Sequence, residues 1–323
     1  MAKAIRLHQT GGPEVLTLED VAVGEPGPGQ ARVRHRYVAV NFIDIYFRTG
    51  LYKADFPVSI GMEAAGVVES AGPDVSGLVA GDRVAYAMSR GSYADYAVVP
   101  ASLLVKIPDA VGFREAAAVM LQGMTAHYLT HSTFPLKSGD TALVHAAAGG
   151  TGLLIVQTAK MLGARVIGVA STKAKAELAR QAGADEVVVH PEKDFEAEAK
   201  LLTDGRGVDV VFDSVGAATF MKSLNSLRPR GMMVSFGNAS GAVPAVEPLL
   251  LAQKGSLFLT RPTLASYTLT PEELHWRAGD VLSWVASGRL KVRVHSTYQL
   301  ADAPRAHRDL ESRATSGKLL LLP

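Results

Sequence analysis

The segment His145-Ala-Ala-Ala-Gly-Gly-Thr-Gly152 constrains the fold of this chain more than any other. It follows a buried strand pattern at 141–144 and precedes a helical pattern that ends at Gly163. Glycines at such a turn allow a tight bend and a close approach of the backbone to a phosphate group, while the following helix offers N–H groups to it. The spacing A-x-G-G-x-G departs from G-x-G-x-x-G, so the turn alone also fits an ordinary strand-to-helix loop.

The sequence around this turn repeats an alternation of strands and helices. A helical pattern covers 173–182, and β-branched runs predict strands at 165–170, 186–189, 208–213, 231–236 and 256–260. Nearly continuous apolar strands between helices are typical of a parallel sheet that is covered on both faces. This context favours a dinucleotide-binding, doubly wound domain over an ordinary loop.

The end of the second strand indicates which dinucleotide is bound. Sites for NAD place Asp or Glu there to bind the ribose 2′-hydroxyl. The chain instead reads Ala170-Ser-Thr-Lys-Ala-Lys175, without an acid. Ser171 and a lysine can bind a 2′-phosphate, whereas two solvated lysines at a helix start would gain nothing from the helix dipole. The pattern therefore predicts NADPH.

The rest of the chain predicts a second domain. Short alternating runs separated by Gly and Pro make the first 110 residues β-rich, as in an antiparallel barrel. After Pro262 the pattern predicts a helix at 271–286, a strand at 290–294, a helix at 301–313 and a final strand at 317–322. We therefore expect one domain at 1–125 and 262–323, with a cofactor domain at 126–261 inserted into it.

Composition excludes several classes of site. The chain has 323 residues and no cysteine, which removes disulfides, Cys-ligated zinc, Fe–S clusters and thiol nucleophiles. A net charge of +2 without basic runs argues against a nucleic-acid-binding surface. No stretch approaches the roughly 18 apolar residues that span a bilayer. We expect a soluble, cytoplasmic protein.

Motifs along the whole chain resemble the zinc-independent quinone oxidoreductase (zeta-crystallin-like) branch of the medium-chain dehydrogenase/reductase superfamily. Besides the glycine turn, the resemblance rests on Gly11-Gly-Pro-Glu-Val-Leu, Asn41-Phe-Ile-Asp44, Gly61-Met-Glu-Ala-Ala-Gly66, Ala80-Gly-Asp-Arg-Val, Gln122-Gly-Met-Thr-Ala, Phe212-Asp-Ser-Val-Gly, Val234-Ser-Phe-Gly-Asn238 and Ser312-Arg-Ala-Thr-Ser-Gly. The resemblance implies an α/β fold in which a Rossmann doubly wound domain is inserted into a β-rich GroES-like catalytic domain. It also implies a homodimer that is joined through the cofactor domains, at the edge strand 256–260.

The resemblance also implies chemistry without zinc. Zinc alcohol dehydrogenases of this superfamily have Cys and His ligands, with the His in a Gly-His-Glu triplet. This chain has Gly61-Met62-Glu63 there and no cysteine, which leaves zinc too few ligands. The expected activity is hydride transfer from NADPH to a quinone.

Family positions map onto two groups of residues in this sequence. The resemblance implies that the substrate-side groups, including the donors to the acceptor oxygen, are Asn41, Tyr46, Arg48 and Tyr52. It implies that the cofactor is contacted by Phe42, Ile43, Asp44, Met124, Thr125, Tyr128, Gly149, Gly150, Thr151, Ser171, Lys175, His190, Ser214, Phe236, Gly237, Asn238, Arg261 and Arg313.

Some of these assignments leave alternatives open. Relatives often have Tyr where this chain has His190, which could stack on adenine, bind the phosphate or be an ordinary surface residue. Tyr46 and Tyr52 could be packing aromatics. Asp44 could hold Arg48 or a neighbouring backbone group instead of acting as a base.

Three other functions compete with quinone reduction. The same hydride donor would serve an enone or alkenal reductase. A crystallin-like protein could bind NADPH without turnover, or bind RNA, which the near-zero net charge disfavours. A zinc alcohol dehydrogenase would require stoichiometric metal. Electrons could reach the acceptor as a hydride or in single steps.

Overall fold

The computed structural model describes residues 1–323, which form two compact units. Unit 1 comprises Met1–Met124 and Thr268–Pro323, and unit 2 comprises Thr125–Tyr267. Unit 2 is therefore inserted in the sequence of unit 1.

The first segment of unit 1 is mainly β. Its elements are β1 (Ala2–Leu7), β2 (Thr17–Val21), β3 (Gln30–Val40), α1 (Phe42–Thr49), β4 (Val58–Ser59), β5 (Glu63–Ala71), β6 (Arg83–Ala87), β7 (Tyr96–Pro100), β8 (Val105–Lys106) and α2 (Phe113–Tyr128). Short 3-10 helices lie at Pro13–Val15 and Ala101–Leu103. Helix α2 ends four residues beyond the unit boundary.

Unit 2 alternates strand and helix as the sequence pattern predicts. A π-helical turn at Leu129–Thr133 precedes β9 (Thr141–Val144), α3 (Gly150–Met161), β10 (Arg165–Ala170), α4 (Lys173–Gln181), β11 (Glu186–Val189), α5 (Phe195–Leu201), β12 (Val208–Asp213), α6 (Phe220–Ser226), β13 (Leu227–Ser235), α7 (Pro248–Gln253), β14 (Phe258–Thr260) and a 3-10 helix at Leu264–Tyr267.

The chain then returns to unit 1. The last elements are α8 (Pro271–Ala286), β15 (Val294–Gln299), a 3-10 helix at Leu300–Asp302, α9 (Ala303–Glu311) and β16 (Lys318–Leu322). The strand predicted at 290–294 is wrong in its bounds, because β15 begins where that prediction ends. Alternating Leu-Lys-Val-Arg-Val fits a strand locally, but pairing with β16 sets where β15 lies.

Unit 1 contains two sheets. A three-stranded sheet has the order β2-β1-β4, and a seven-stranded sheet has the order β15-β16-β3-β5-β6-β8, with β7 paired to β3. Along β3, buried Val33 and His35 alternate with exposed Arg34 and Arg36, as expected for a strand with one solvated face. All its ladders are antiparallel except β15–β16.

Unit 2 contains one six-stranded parallel sheet with the order β11-β10-β9-β12-β13-β14. This is the 3-2-1-4-5-6 order of a doubly wound dinucleotide-binding fold, which confirms the predicted Rossmann class. Every residue of β12 is buried, because helices cover both faces of such a sheet. No helix of the chain is long and apolar enough to cross a membrane.

Candidate active site

Unit 2 places the glycine-rich turn at the carboxyl end of β9. Helix α3 begins at Gly150 with Gly149 as its N-cap, and no acidic side chain lies in its first turn. A Cβ atom at Gly152 would lie 2.2 Å from the carbonyl oxygen of Ala146, so glycine is needed for the helix to pack this closely on the turn. The positive end of α3 is therefore suited to an anion.

A buried cluster of polar side chains begins at His145, the first residue of the glycine-rich segment. The His145 Nε2 atom lies 2.8 Å from Ser223 Oγ, and the Ser223 hydroxyl donates to Asp213 at 2.9 Å. Thr219 donates to the same carboxylate oxygen at 2.7 Å. Since Ser223 donates to Asp213, it accepts from His145, which is the wrong direction for a serine activated by a histidine base. Burial lowers the pKa of His145, so its imidazole is neutral and the cluster is a structural support.

The next strand end carries the residues expected to choose the cofactor. Ser171 follows β10, and Thr172 caps α4 by accepting the N–H of Lys175 at 3.2 Å. No acid lies in the first turn of α4. Lys175 is half-buried, and burial lowers the pKa of its ammonium group. The His190 N–H donates to the Ala170 carbonyl at 2.9 Å, so the ends of β10 and β11 bring His190 close to Ser171.

The other predicted cofactor residues of unit 2 follow the remaining strands. Ser214 follows β12, and Phe236 donates its N–H to the Asp213 carbonyl at 2.8 Å. A Cβ at Gly237 would lie 2.5 Å from the Ser214 carbonyl oxygen, so the ends of β12 and β13 touch. Arg261 follows β14. The glycine turn, Ser171, His190, Ser214, Phe236–Asn238 and Arg261 thus lie after the carboxyl ends of all six parallel strands.

Thr125 and Tyr128 are the exceptions in unit 2, because both lie in α2. The Tyr128 ring stacks on Tyr267 with ring centroids 4.3 Å apart. Burial raises the pKa of Tyr128, and the positive charge of Arg261 opposes the rise. Tyr128 is therefore a neutral, packed aromatic.

Of the four predicted substrate-side residues, Tyr46 and Arg48 lie in helix α1 of unit 1, Asn41 is its N-cap and Tyr52 lies in the loop after it. Phe42, Tyr46 and Tyr52 form an aromatic cluster, in which the Tyr46 ring centroid lies 6.3 Å from that of Phe42 and 5.3 Å from that of Tyr52. The Tyr52 N–H donates to the Tyr46 carbonyl at 3.0 Å, which fixes the loop after α1 against the helix. Tyr46 is buried, whereas Phe42 and Tyr52 are partly exposed.

The side chain of Asn41 is engaged in a buried ion pair. Lys318 Nζ lies 2.7 Å from Glu63 Oε2 and donates to Asn41 Oδ1 at 2.5 Å. Asn41 Nδ2 donates to Glu63 at 2.9 Å, and the Leu121 N–H donates to its other oxygen at 2.6 Å. Glu63 is 0% and Lys318 1% exposed. Burial lowers the pKa of Lys318, and the charge of Glu63 opposes this.

Arg48 is also engaged within unit 1. Its guanidinium makes two hydrogen bonds to the Glu311 carboxylate, at 2.6 and 3.0 Å, and a third to His307 Nδ1 at 3.2 Å. Asp44 does not hold Arg48: its carboxylate accepts the Asn41 N–H at 2.8 Å and the Tyr93 hydroxyl at 3.1 Å. The neighbouring-backbone alternative for Asp44 is therefore the observed one.

The remaining predicted residues of unit 1 differ in exposure. Ile43 is partly exposed, Met124 is buried, and Arg313 is exposed just after α9. The buried polar partners Tyr93, His307 and Lys318 were not among the residues predicted from the sequence. A lysine beside four consecutive leucines is a sequence signal for a buried ion pair, but its partner Glu63 is 255 residues away in the chain.

The residues present do not fit a zinc site. No group of three or more His, Cys, Asp or Glu side chains could hold a metal ion. At the Gly61-Met62-Glu63 triplet, Met62 is buried, and the Glu63 oxygens accept from Asn41, Lys318 and the Leu121 N–H.

Comparison with known proteins gives full-length matches. Residues 27–109 match the alcohol dehydrogenase GroES-like domain and residues 150–276 the zinc-binding dehydrogenase family. The chain is 46% identical to a quinone oxidoreductase of Pseudomonas aeruginosa, with 100% of both chains covered. It is 41% identical to a 2-haloacrylate reductase of a Burkholderia species, covering 100% of this chain and 99% of that one. The crystal structure of Escherichia coli quinone oxidoreductase complexed with NADPH is 44% identical, covers 100% of both chains and has a TM-score of 0.98.

Proposed function

Because this chain belongs to the zinc-independent quinone oxidoreductase branch of the medium-chain dehydrogenase/reductase superfamily, we propose that it is an NADPH:quinone oxidoreductase. The observation that carries the proposal is the row of predicted cofactor residues after the carboxyl ends of all six strands of unit 2, where doubly wound sheets bind nucleotides. Full-length likeness to proteins named quinone oxidoreductase supports the choice of acceptor.

We propose that residues 126–261 are the cofactor domain and that the rest of the chain is the catalytic domain. Gly149, Gly150 and Thr151 would hold the pyrophosphate at the start of α3. Ser171 and Lys175 would bind the 2′-phosphate, and His190 lies at the adjacent strand end, where it could add a donor or an aromatic face. Ser214, Phe236–Asn238 and Arg261 would line the remaining strand ends.

In the catalytic domain, the aromatic cluster of Phe42, Tyr46 and Tyr52 suits a planar acceptor, because aromatic faces stack on such rings. The tyrosine hydroxyls are the donors we assign to the acceptor oxygen that gains charge. The Asn41 side chain is engaged by the buried Glu63 and Lys318, and both terminal nitrogens of the Arg48 guanidinium are engaged by Glu311, so we assign Asn41 and Arg48 to positioning α1.

The reaction balances without metal. NADPH supplies a hydride, which carries both electrons, and becomes NADP⁺, while the quinone becomes a hydroquinone monoanion. A proton from a tyrosine hydroxyl or from water then completes the hydroquinone. The protein's contribution is to orient the two reactants and to stabilise the developing oxyanion.

The function is tested by following NADPH oxidation with matched acceptors. Simple quinones and α,β-unsaturated ketones of similar size are supplied to the same preparation, with NADH as the alternative donor. We expect turnover with quinones and a preference for NADPH. Turnover with the unsaturated ketones alone would instead assign an enone reductase, the chemistry suggested by the 2-haloacrylate reductase relative. NADPH binding without oxidation by any acceptor would contradict an enzymatic role.

We also propose that two copies of the chain pair through β14. This strand is an edge of the six-stranded sheet, and Phe258 on it is 57% exposed. An unpaired edge bearing an exposed aromatic side chain favours strand-to-strand association. The Phe258→Lys variant should shift the molecular mass measured by light scattering from dimer towards monomer, and Leu269→Lys, at another exposed apolar residue, should not. A monomeric wild type would refute the pairing. The cytoplasmic location stays a prediction.

A further inference from the structure

A chain of buried hydrogen bonds runs from α9 to the first turn of α1. It begins at the Glu311 carboxylate, which holds the Arg48 guanidinium. Arg48 Nη1 lies 3.2 Å from His307 Nδ1, His307 Nε2 lies 3.0 Å from the Tyr93 hydroxyl, and that hydroxyl lies 3.1 Å from Asp44. Arg48, His307, Tyr93 and Asp44 are each at most 1% exposed.

The direction of every bond in this chain follows from Arg48. A guanidinium can only donate, so His307 Nδ1 accepts and carries no proton. The proton of the neutral ring is then on Nε2 and is donated to Tyr93, which leaves the Tyr93 hydroxyl to donate to Asp44. Burial and the charge of Arg48 lower the pKa of His307 to about 3, so the ring stays neutral. Arg48 thus donates to Glu311 on one side, and on the other side each donor from Arg48 through His307 and Tyr93 points towards Asp44.

Asp44 links the Tyr93 hydroxyl to the backbone of Asn41. The same oxygen that accepts from Tyr93 accepts the backbone N–H of Asn41 at 2.8 Å. The Asn41 side chain, in turn, joins Lys318 and Glu63. Asp44 is the acidic half of a capping box at the start of α1, and α1 carries Tyr46. Glycine at position 61, with φ +97°, leaves room for the Tyr93 ring, since a Cβ there would lie 2.2 Å from Tyr93 Cδ1.

We propose that Tyr93 is a positioning residue for the reduction, and that its hydroxyl, oriented by His307 and Arg48, holds Asp44 ionised and thereby fixes Asn41 and the first turn of α1. This inference rests on the proposed function for its kinetic consequences only. A charged acceptor binds the Asn41 N–H more strongly than a protonated one does.

Ionisation of Asp44 is finely balanced. Burial raises its pKa to about 7, while the N–H of Asn41, the Tyr93 hydroxyl and the charge of Lys318 lower it, and the charge of Glu63 raises it. The other charged or titratable groups nearby are His307, which is hydrogen-bonded to Tyr93, Arg48, which is hydrogen-bonded to His307, and Glu311, which is hydrogen-bonded to Arg48. Removing the Tyr93 hydroxyl therefore moves the pKa of Asp44 further upward, so that less of it is ionised at neutral pH.

The chain contains a matched control for this residue. Tyr86 is also fully buried, and its hydroxyl lies 2.8 Å from Nε2 of the buried His35. There His35 Nδ1 lies 2.7 Å from the carbonyl oxygen of Ala94, so that nitrogen must donate, and Tyr86 donates to Nε2. The pair resembles Tyr93–His307 in burial and distance but has no hydrogen bond to Asp44 or Asn41.

The test compares Tyr93→Phe with Tyr86→Phe in the full chain. For Tyr93→Phe we expect kcat with a quinone to fall about tenfold, KM for NADPH to stay within about twofold, and the acid limb of the kcat profile to move about one pH unit higher. Tyr86→Phe should lose thermal stability as well but keep the wild-type kcat and pH profile. Equal kinetic behaviour of the two variants would overturn the proposal.

A second readout needs no activity. The carboxyl ¹³C signal of Asp44, assigned by its loss in Asp44→Asn, should titrate about one pH unit higher in Tyr93→Phe and stay unchanged in Tyr86→Phe. An unmoved Asp44 titration in Tyr93→Phe overturns the proposal whether or not the protein reduces quinones. A titration that shifts as expected in a protein that reduces no quinone would mean that the proposed function alone has failed. Should Tyr93→Phe not fold, His307→Leu must move the same signal and His307→Gln, which keeps an N–H donor, must largely restore it.

Discussion

Replacing Lys318 with methionine is expected to lower the free energy of unfolding by about 3–5 kcal/mol, because it leaves the Glu63 charge buried without its partner. Both side chains are at most 1% exposed, and the ammonium group lies 2.7 Å from the carboxylate. Methionine keeps the length of the side chain, so the loss reflects charge more than volume. The measurement is chemical denaturation at neutral pH with the transition followed by circular dichroism.

Two variants separate this effect from a general cost of losing a lysine. Lys3→Met removes an exposed ion pair with Asp20 whose atoms are 2.8 Å apart, and we expect a change within about 1 kcal/mol. Glu63→Gln combined with Lys318→Met removes both charges and should regain most of the stability lost by the single variant. A single variant as stable as the wild type would show that Glu63 and Lys318 are not a charged pair.

Replacing Lys175 with methionine is expected to weaken NADPH binding by about 10- to 100-fold, the range for losing a hydrogen bond to a charged group. The dissociation constant for NADH should change by less than about threefold, because NADH lacks the 2′-phosphate. The backbone N–H of Lys175, not its side chain, caps α4 through Thr172, so the helix is expected to persist. Fluorescence titration with each cofactor gives both constants.

Lys173→Met is the matched control for this substitution. Lys173 lies two residues before Lys175, at the first position of α4. It is exposed and has its ammonium nitrogen 3.8 Å from Glu192. Lys173→Met removes the same formal charge as Lys175→Met, but from an exposed side chain instead of a half-buried one. Equal losses of NADPH affinity in both variants would mean that the positive charge at the start of α4 attracts the cofactor without a specific contact from Lys175. A loss of NADH affinity equal to that of NADPH would remove Lys175 from the 2′-phosphate site.

Unit 2 was predictable from its sequence because its signals are local. A buried strand followed by glycines and a helix marks the turn between β9 and α3, and the acid-free end of β10 indicates NADPH within six residues. Right-handed crossovers then leave only a handful of strand orders, and the structure shows which of them is adopted. The residues after the other strands were assigned by resemblance to the family, and the structure places them along one edge of the sheet.

Unit 1 was less predictable because its polar contacts join distant parts of the chain. The resemblance placed Asn41 and Arg48 among the donors to substrate, whereas their side chains are engaged by residues from α9 and β16. The bounds of β15 were misplaced for a related reason. Alternating residues allow several strand starts, and only pairing with β16 selects one.

The sequence by itself determined the glycine turn, the parallel sheet and the preference for NADPH, because each depends on residues within a few positions of one another. The chain has no cysteine, and Met62 stands where zinc-dependent members of the superfamily have a histidine ligand. Both facts remove zinc ligands and can be read from the sequence without the fold. Only the tertiary structure decided which polar side chains are engaged by buried partners. Burial turns pairs such as Lys318–Glu63 and Tyr93–Asp44 into strong constraints, and burial depends on which distant segments pack together.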